Sequence, residues 1–138
     1  MDKERIYVKL DEIEQYLKEI DEIMPKSIGT YLNNLEKKRA LERLLQITIE
    51  AVMDTSALLV KELHMGLPAA EEDFLEKLKG KVLEPELVDK LKKMRGFRNI
   101  LVHGYSKIDD EKVFKILNQD LKDIQDFKKD LIEFLKDK

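Results

Sequence analysis

Cysteine is absent from the 138-residue chain, and with it go disulfides, thiolate metal sites and cysteine nucleophiles. Only two histidines occur, His64 and His103, and no His-Glu-x-x-His or Asp-x-Asp spacing accompanies them. A metal site would have to be built mainly from carboxylates, and none is expected. Glycine (5) and proline (3) are scarce, which argues against a turn-rich sheet protein. No apolar run reaches the roughly 18 residues that suggest a membrane helix, so no membrane span is expected. Met1-Asp2-Lys3-Glu4-Arg5 leads straight into amphipathic sequence without a signal region, which makes the cytoplasm the expected location. Glycine-rich phosphate loops, serine nucleophile elbows and aromatic base-stacking platforms are also missing, and no resident cofactor is expected.

What is present is charge and helical periodicity. Charged residues make up 40% and apolar ones 43%, with a formal net charge of −3, the composition of a helical bundle. The length supports one core, so residues 1–138 are read as a single domain. From Asp2 to about Ile23 the residues Ile6, Leu10, Ile13, Leu17 and Ile20 recur at three or four positions, and Pro25 ends the helix. Residues 27–32 form a short helix or turn, and Asn33 with Glu36 resembles a capping pair. A long helix from about Leu35 to His64 buries Leu41, Leu44, Leu45, Thr48, Ile49, Val52, Leu59 and Leu63. Its opposite face is a narrow ionic stripe of Glu36, Arg43, Glu50, Asp54 and Lys61. That stripe is either a solvated face of exposed ion pairs or the lining of a cleft.

His64 is read as a cation at a helix C-terminus, with Gly66 and Pro68 stopping the helix. A short helix covers Ala69–Leu78 and Gly80 closes it. Pro85 opens another helix, and a last one follows Asp109, Asp110 and Glu111. This final helix carries Val113, Phe114, Ile116, Leu117, Leu121, Ile124, Phe127, Leu131, Phe134 and Leu135 inward. The predicted architecture is an all-α, up-and-down bundle of four main helices plus one short helix.

Chemistry concentrates between Lys90 and Lys107. That stretch holds Lys90, Lys92, Lys93, Arg95, Arg98 and Lys107 and no acidic residue, a cationic surface on an acidic chain that points to an anionic partner. Arg98 falls within the apolar stripe of Leu87, Leu91, Met94 and Leu101, where a charge needs a partner or an opening to water. A guanidinium grips phosphate at two points and an imidazole moves protons near neutral pH. Together they suffice for metal-free RNA cleavage through the ribose 2′-OH. The alternative is a salt-bridging Arg98 and a helix-end His103. On a continuous helix, residues five apart point roughly 140° away from each other. Convergence therefore requires either that the helix end near Val102, with Gly104 left-handed, or that a two-fold dimer bring two copies of the segment together.

Arg98-Asn99, four residues from Arg to His, then His103-x-Tyr105 at a helix end resembles the HEPN ribonucleases, and more narrowly the HepT-like toxins with their Arg-x4-His-x-Tyr motif. The segment Arg39-x-x-Glu42-Arg43-x-x-Gln46-x-x-x-Glu50-x-x-x-Asp54 is similar to that family's second long helix. The resemblance implies a HEPN-like fold and a homodimeric, metal-independent endoribonuclease acting on RNA such as tRNA or mRNA. Arg98 and His103 would be the catalytic pair, Asn99 a positioning residue, and Arg43, Glu50 and Asp54 supports of the cleft. Tyr105 would match the tyrosine that a minimal nucleotidyltransferase antitoxin modifies with AMP, an anionic adduct beside the catalytic histidine. Lys92, Lys93, Arg95 and Lys107 would guide the RNA backbone. A rival expectation is a non-catalytic helical subunit that binds a nucleotide or the nucleotidyltransferase.

Overall fold

A computed structural model of the chain describes residues 1–66, 73–104 and 107–138. Apolar residues three and four apart wind the first segment into α1 (Lys3–Ile23), and all five expected positions from Ile6 to Ile20 are buried. Asp2 caps it, its side chain accepting the Arg5 N–H at 3.3 Å. After Pro25, the short α2 (Ile28–Leu32) is capped by Ser27. Asn33 closes α2 rather than opening the next helix. Asn34 is the cap of α3 (Leu35–Glu62), accepting the Lys37 N–H at 3.0 Å. The expected cap was one residue early because two asparagines stand side by side.

Four polar residues are buried in α3 and each is satisfied within its own helix, Glu42 by Arg39. Thr48, Thr55 and Ser56 donate to the carbonyls of Leu44, Ala51 and Val52 at 2.6, 2.6 and 2.8 Å. The helix stops at Glu62, two residues before the expected end. His64 itself takes the left-handed conformation (φ 54°), followed by Gly66 (φ 93°). A histidine tolerates that backbone better than a branched residue would.

α4 is described over Asp73–Leu78, and the part of the expected helix from Ala69 to Glu72, with Pro68, lies outside the described residues. Gly80 (φ 77°) turns the chain, its N–H bonding to the Leu83 carbonyl at 2.7 Å. α5 (Pro85–His103) then runs to the motif.

The final segment departs from a single helix. It comprises α6 (Asp110–Lys115), a π turn (Ile116–Asp120) and α7 (Lys122–Lys136). Periodicity conceals the break, because Val113 and Leu131 lie 18 residues apart, which is about five α-helical turns. The expected single short helix is also two, α2 and α4.

α1 packs antiparallel on α3, as the Asp2 N–H to Glu62 bond at 3.1 Å shows by joining the start of one to the end of the other. α5 lies on the other side of α3 and is covered in turn by α7. One buried apolar cluster joins these helices. Tyr31 sits at 0% exposure against Phe114, ring centroids 5.5 Å apart, and carries α2 onto α6. Burial pushes its phenol well above the ordinary range, with Glu42 and Asp110 adding to the effect. Beside it Lys38 bonds Asp110 at 3.0 Å, tying the start of α3 to the start of α6. No helix among the described residues is long and apolar enough to cross a membrane.

Lys128 on α7 donates to Glu14 on α1 and, with Lys18 nearby, holds that carboxyl below its ordinary range. A depressed acid stabilises the folded state above its unfolded pKa, and the contribution disappears as pH falls through the folded value. Glu14→Gln is expected to lower stability by about 0.5 kcal/mol at neutral pH, solvent screening included. Denaturant titrations of both forms should converge on acidification.

Candidate active site

The motif residues divide between two faces of α5. Arg98 lies about 20° from Leu91 on the helical wheel, next to a buried side chain, and is half-buried, as the stripe predicts. Arg95 is half-buried beside it, and both arginines make polar or electrostatic contacts with neighbouring groups. His103 is the last residue of α5 and is exposed, as is Asn99.

The route by which the helix would unwind before His103 is not taken. Gly104 is right-handed (φ −72°, ψ −26°), and its N–H bonds to the Ile100 carbonyl at 2.7 Å, prolonging the helical pattern. Glycine is required there for closeness: a Cβ would lie 2.3 Å from the Ile100 oxygen. Arg98 and His103 of one chain therefore diverge by roughly 140°.

Of the other expected site residues, Arg43 and Asp54 are exposed on α3, and Glu50 is half-buried and accepts the Gln46 amide at 3.0 Å. Arg39 grips both oxygens of Glu42 at 3.0 and 2.9 Å, which stiffens the same helix. Lys93 and Lys107 are exposed. Lys92 bonds Glu76 of α4 and holds that carboxyl low. Tyr105 lies outside the described residues. Among the described residues no three His, Asp or Glu side chains gather as a metal-binding set.

A cavity that the motif does not announce opens beside α5, its lining spread from Gly96 on the His103 side round to Met94 on the opposite one. Gly96 and Ile100 stand about 20° and 60° from His103 on the wheel. Both line an open cavity of about 560 Å³ between α5, the π turn and α7. Its apolar wall is Met94, Phe97, Ile100 and Ile116, and Lys90, Lys93, Lys112 and Lys122 also line it. Lys112 Nζ lies 5.4 Å from the centre of the Phe97 ring.

Asp123 also lines the cavity at 6% exposure, and its Oδ1 has no hydrogen-bond partner. Burial raises its pKa, partly offset by Lys90 and Lys122 and reinforced by Asp120 and Asp126. A signal for this residue existed: Asp123, Phe127, Leu131 and Leu135 recur every four positions, which puts a carboxylate in line with the core.

A family model described as "Ribonuclease HepT-like" matches residues 13–131. The tRNA nuclease HepT of Aphanizomenon flos-aquae is 32% identical over 114 residues, covering 82% of this chain and 78% of that protein. The mRNA nuclease HepT of Shewanella oneidensis is 31% identical over 84 residues, 60% of this chain and 63% of that one. In fold, the chain superposes with TM-score 0.86 on the tri-AMPylated Shewanella oneidensis HEPN toxin solved in complex with MNT antitoxin. That match has 24% identity and covers 93% of this chain and 96% of the other.

For Asp123 the raised pKa means that folding favours the protonated form, so its unfavourable contribution appears as pH rises through the folded value and vanishes below the unfolded one. Asp123→Asn is expected to gain on the order of 1 kcal/mol of stability at neutral pH. Melting curves taken at descending pH should show that gain shrinking.

Proposed function

Because the chain belongs to the HepT-like ribonuclease family and is an RNase of that kind, we propose that it is a metal-independent endoribonuclease and the toxin of a toxin–antitoxin pair. The observation that carries the mechanism is the unbroken end of α5. One chain presents Arg98 and His103 on different faces, so the working site is composite, with the arginine of one copy facing the histidine of a second across a two-fold cleft.

In that cleft, His103 takes the proton from a ribose 2′-OH or returns one to the departing 5′-oxygen. The 2′-oxygen attacks the adjacent phosphorus, the bond to the 5′-oxygen breaks, and a 2′,3′-cyclic phosphate and a 5′-hydroxyl result. Arg98 holds the phosphate and steadies its added charge. Asn99, exposed one residue on, positions the phosphate. Lys93, Arg95 and Lys107 attract the RNA backbone, with Lys92 contributing less while Glu76 holds it. Arg43, Glu50 and Asp54 support the cleft from α3. Residues 1–138 act as one domain, in the cytoplasm.

The two HepT relatives named as nucleases support RNA as the substrate, and the HEPN toxin solved with MNT antitoxin supports a minimal nucleotidyltransferase as partner. That toxin is described as tri-AMPylated, which supports Tyr105 as the residue at which the partner adds AMP and silences the site.

Two outcomes test this reading. Arg98→Ala and His103→Ala are each expected to abolish cutting of RNA in EDTA. Unfolded together, mixed equally and refolded, they should recover roughly a quarter of wild-type activity, since half the dimers are mixed and each retains one intact site. No recovery places both groups in one chain, and unimpaired cutting by either variant removes the catalytic assignment. Incubation with the cognate transferase and ATP should add mass in units of AMP. Tyr105→Phe should take up none, and labelling that persists would put the modification elsewhere.

A further inference from the structure

We infer that the cavity between α5, the π turn and α7 is a base-reading subsite for guanine, with Asp123 accepting from its Watson–Crick edge and the lysines receiving the flanking phosphates.

Three features lead there. First, a carboxylate that is 94% buried with an oxygen lacking a donor is a costly feature in a helix otherwise devoted to packing, and it lies on the wall of an open cavity rather than in the core. Burial, reinforced by Asp120 and Asp126, leaves its pKa high, as expected of an acceptor whose donors arrive with a ligand. Second, the surroundings define the ligand's two ends. Met94, Phe97 and Ile116 offer a flat apolar body its contact, while Lys90, Lys93, Lys112 and Lys122 supply a cationic lining that repels a basic guest and attracts an anionic one. A planar heterocycle bearing phosphate meets both demands. About 560 Å³ lies inside the range of roughly 300–1,000 Å³ typical of small-ligand sites. Third, the wall is built with two irregularities that a packed bundle does not need. Gly96 leaves open space where a side chain would fit, and the π turn, a form frequent at functional positions, supplies Ile116 and Asp120.

Among the four RNA bases the carboxylate selects. Guanine alone presents two adjacent N–H donors, N1–H and the 2-amino group, which match the two oxygens of one carboxylate once the side chain turns its occluded Oδ1 toward the cavity. Adenine and cytosine set an acceptor beside their donor, and uracil flanks its single N–H with two carbonyls, so each would bring a lone pair against Asp123. Ile100 on the cavity wall stands three residues before His103, so an occupied pocket would set a guanine near the scissile linkage. This meaning as an RNA subsite rests on the ribonuclease reading, whereas the pocket itself does not.

The full chain titrated with 5′-GMP and followed by amide NMR should show saturable shifts at Gly96, Phe97 and Asp123. Affinity should exceed that for 5′-AMP, 5′-CMP and 5′-UMP by about tenfold or more, the discrimination of a bidentate base contact. Asp123→Asn should remove the preference while melting higher than the parent. Gly96→Leu, whose Cβ enters open space beside the cavity, should weaken all four nucleotides. Equal binding of the four, no shift at those amides, or a guanine preference that survives Asp123→Asn would overturn the proposal. Because binding is read without turnover, a chain that selects GMP but leaves RNA intact would overturn the nuclease reading and leave the pocket standing. Active cutting without GMP selection would do the reverse.

Discussion

Hydrogen bonding that continues along α5 past its last helical residue fixes where the two motif side chains of one chain can stand. The Gly104 N–H still reaches the Ile100 carbonyl, so the imidazole of His103 stays on the helical screw and cannot swing toward Arg98. A flexible end would have let one molecule assemble both groups. A rigid one fixes each group on its own face of the helix, the geometry on which the proposed two-copy site rests. Preorganisation of this kind lowers the cost of aligning groups at the moment of reaction.

The same rigidity shows how the protein divides its residues between holding and working. α1 and α3 are conventional, with apolar stripes buried, hydroxyls returned to their own carbonyls and caps in place. Irregularity collects around α5 and its neighbours: a half-buried arginine pair, a helical glycine with empty space beside it, a π turn and a buried carboxylate short of a donor. Such departures from ideal packing lower stability, and they cluster where binding and catalysis are proposed.

Much of this was legible in the residues. The α1 face was read position for position, and the placement of Arg98 within an apolar stripe foretold a half-buried guanidinium. The Arg-x4-His-x-Tyr spacing led to the family that residues 13–131 match. Other features were hidden for physical reasons. A glycine after a helix is read as left-handed, yet Gly104 serves close approach instead. The π turn left no trace because the apolar residues on either side of it stay in register with an uninterrupted helix. Asp123 looks like one acid among many in the last helix, although its four-residue spacing from Phe127 and Leu131 places it inward. Tertiary surroundings, rather than pattern, decide whether such a charge faces water or a cavity.

The contact between Glu14 and Lys128 joins residues 114 positions apart, linking the first helix to the last. Its consequence is kinetic. Loop-closure entropy disfavours so distant a contact early in folding and favours its forming after the neighbouring helices α1 and α3 have paired. A link made after the rate-limiting barrier would slow escape from the native state rather than hasten folding, and at about 0.5 kcal/mol this one would lengthen the lifetime of the finished bundle roughly twofold.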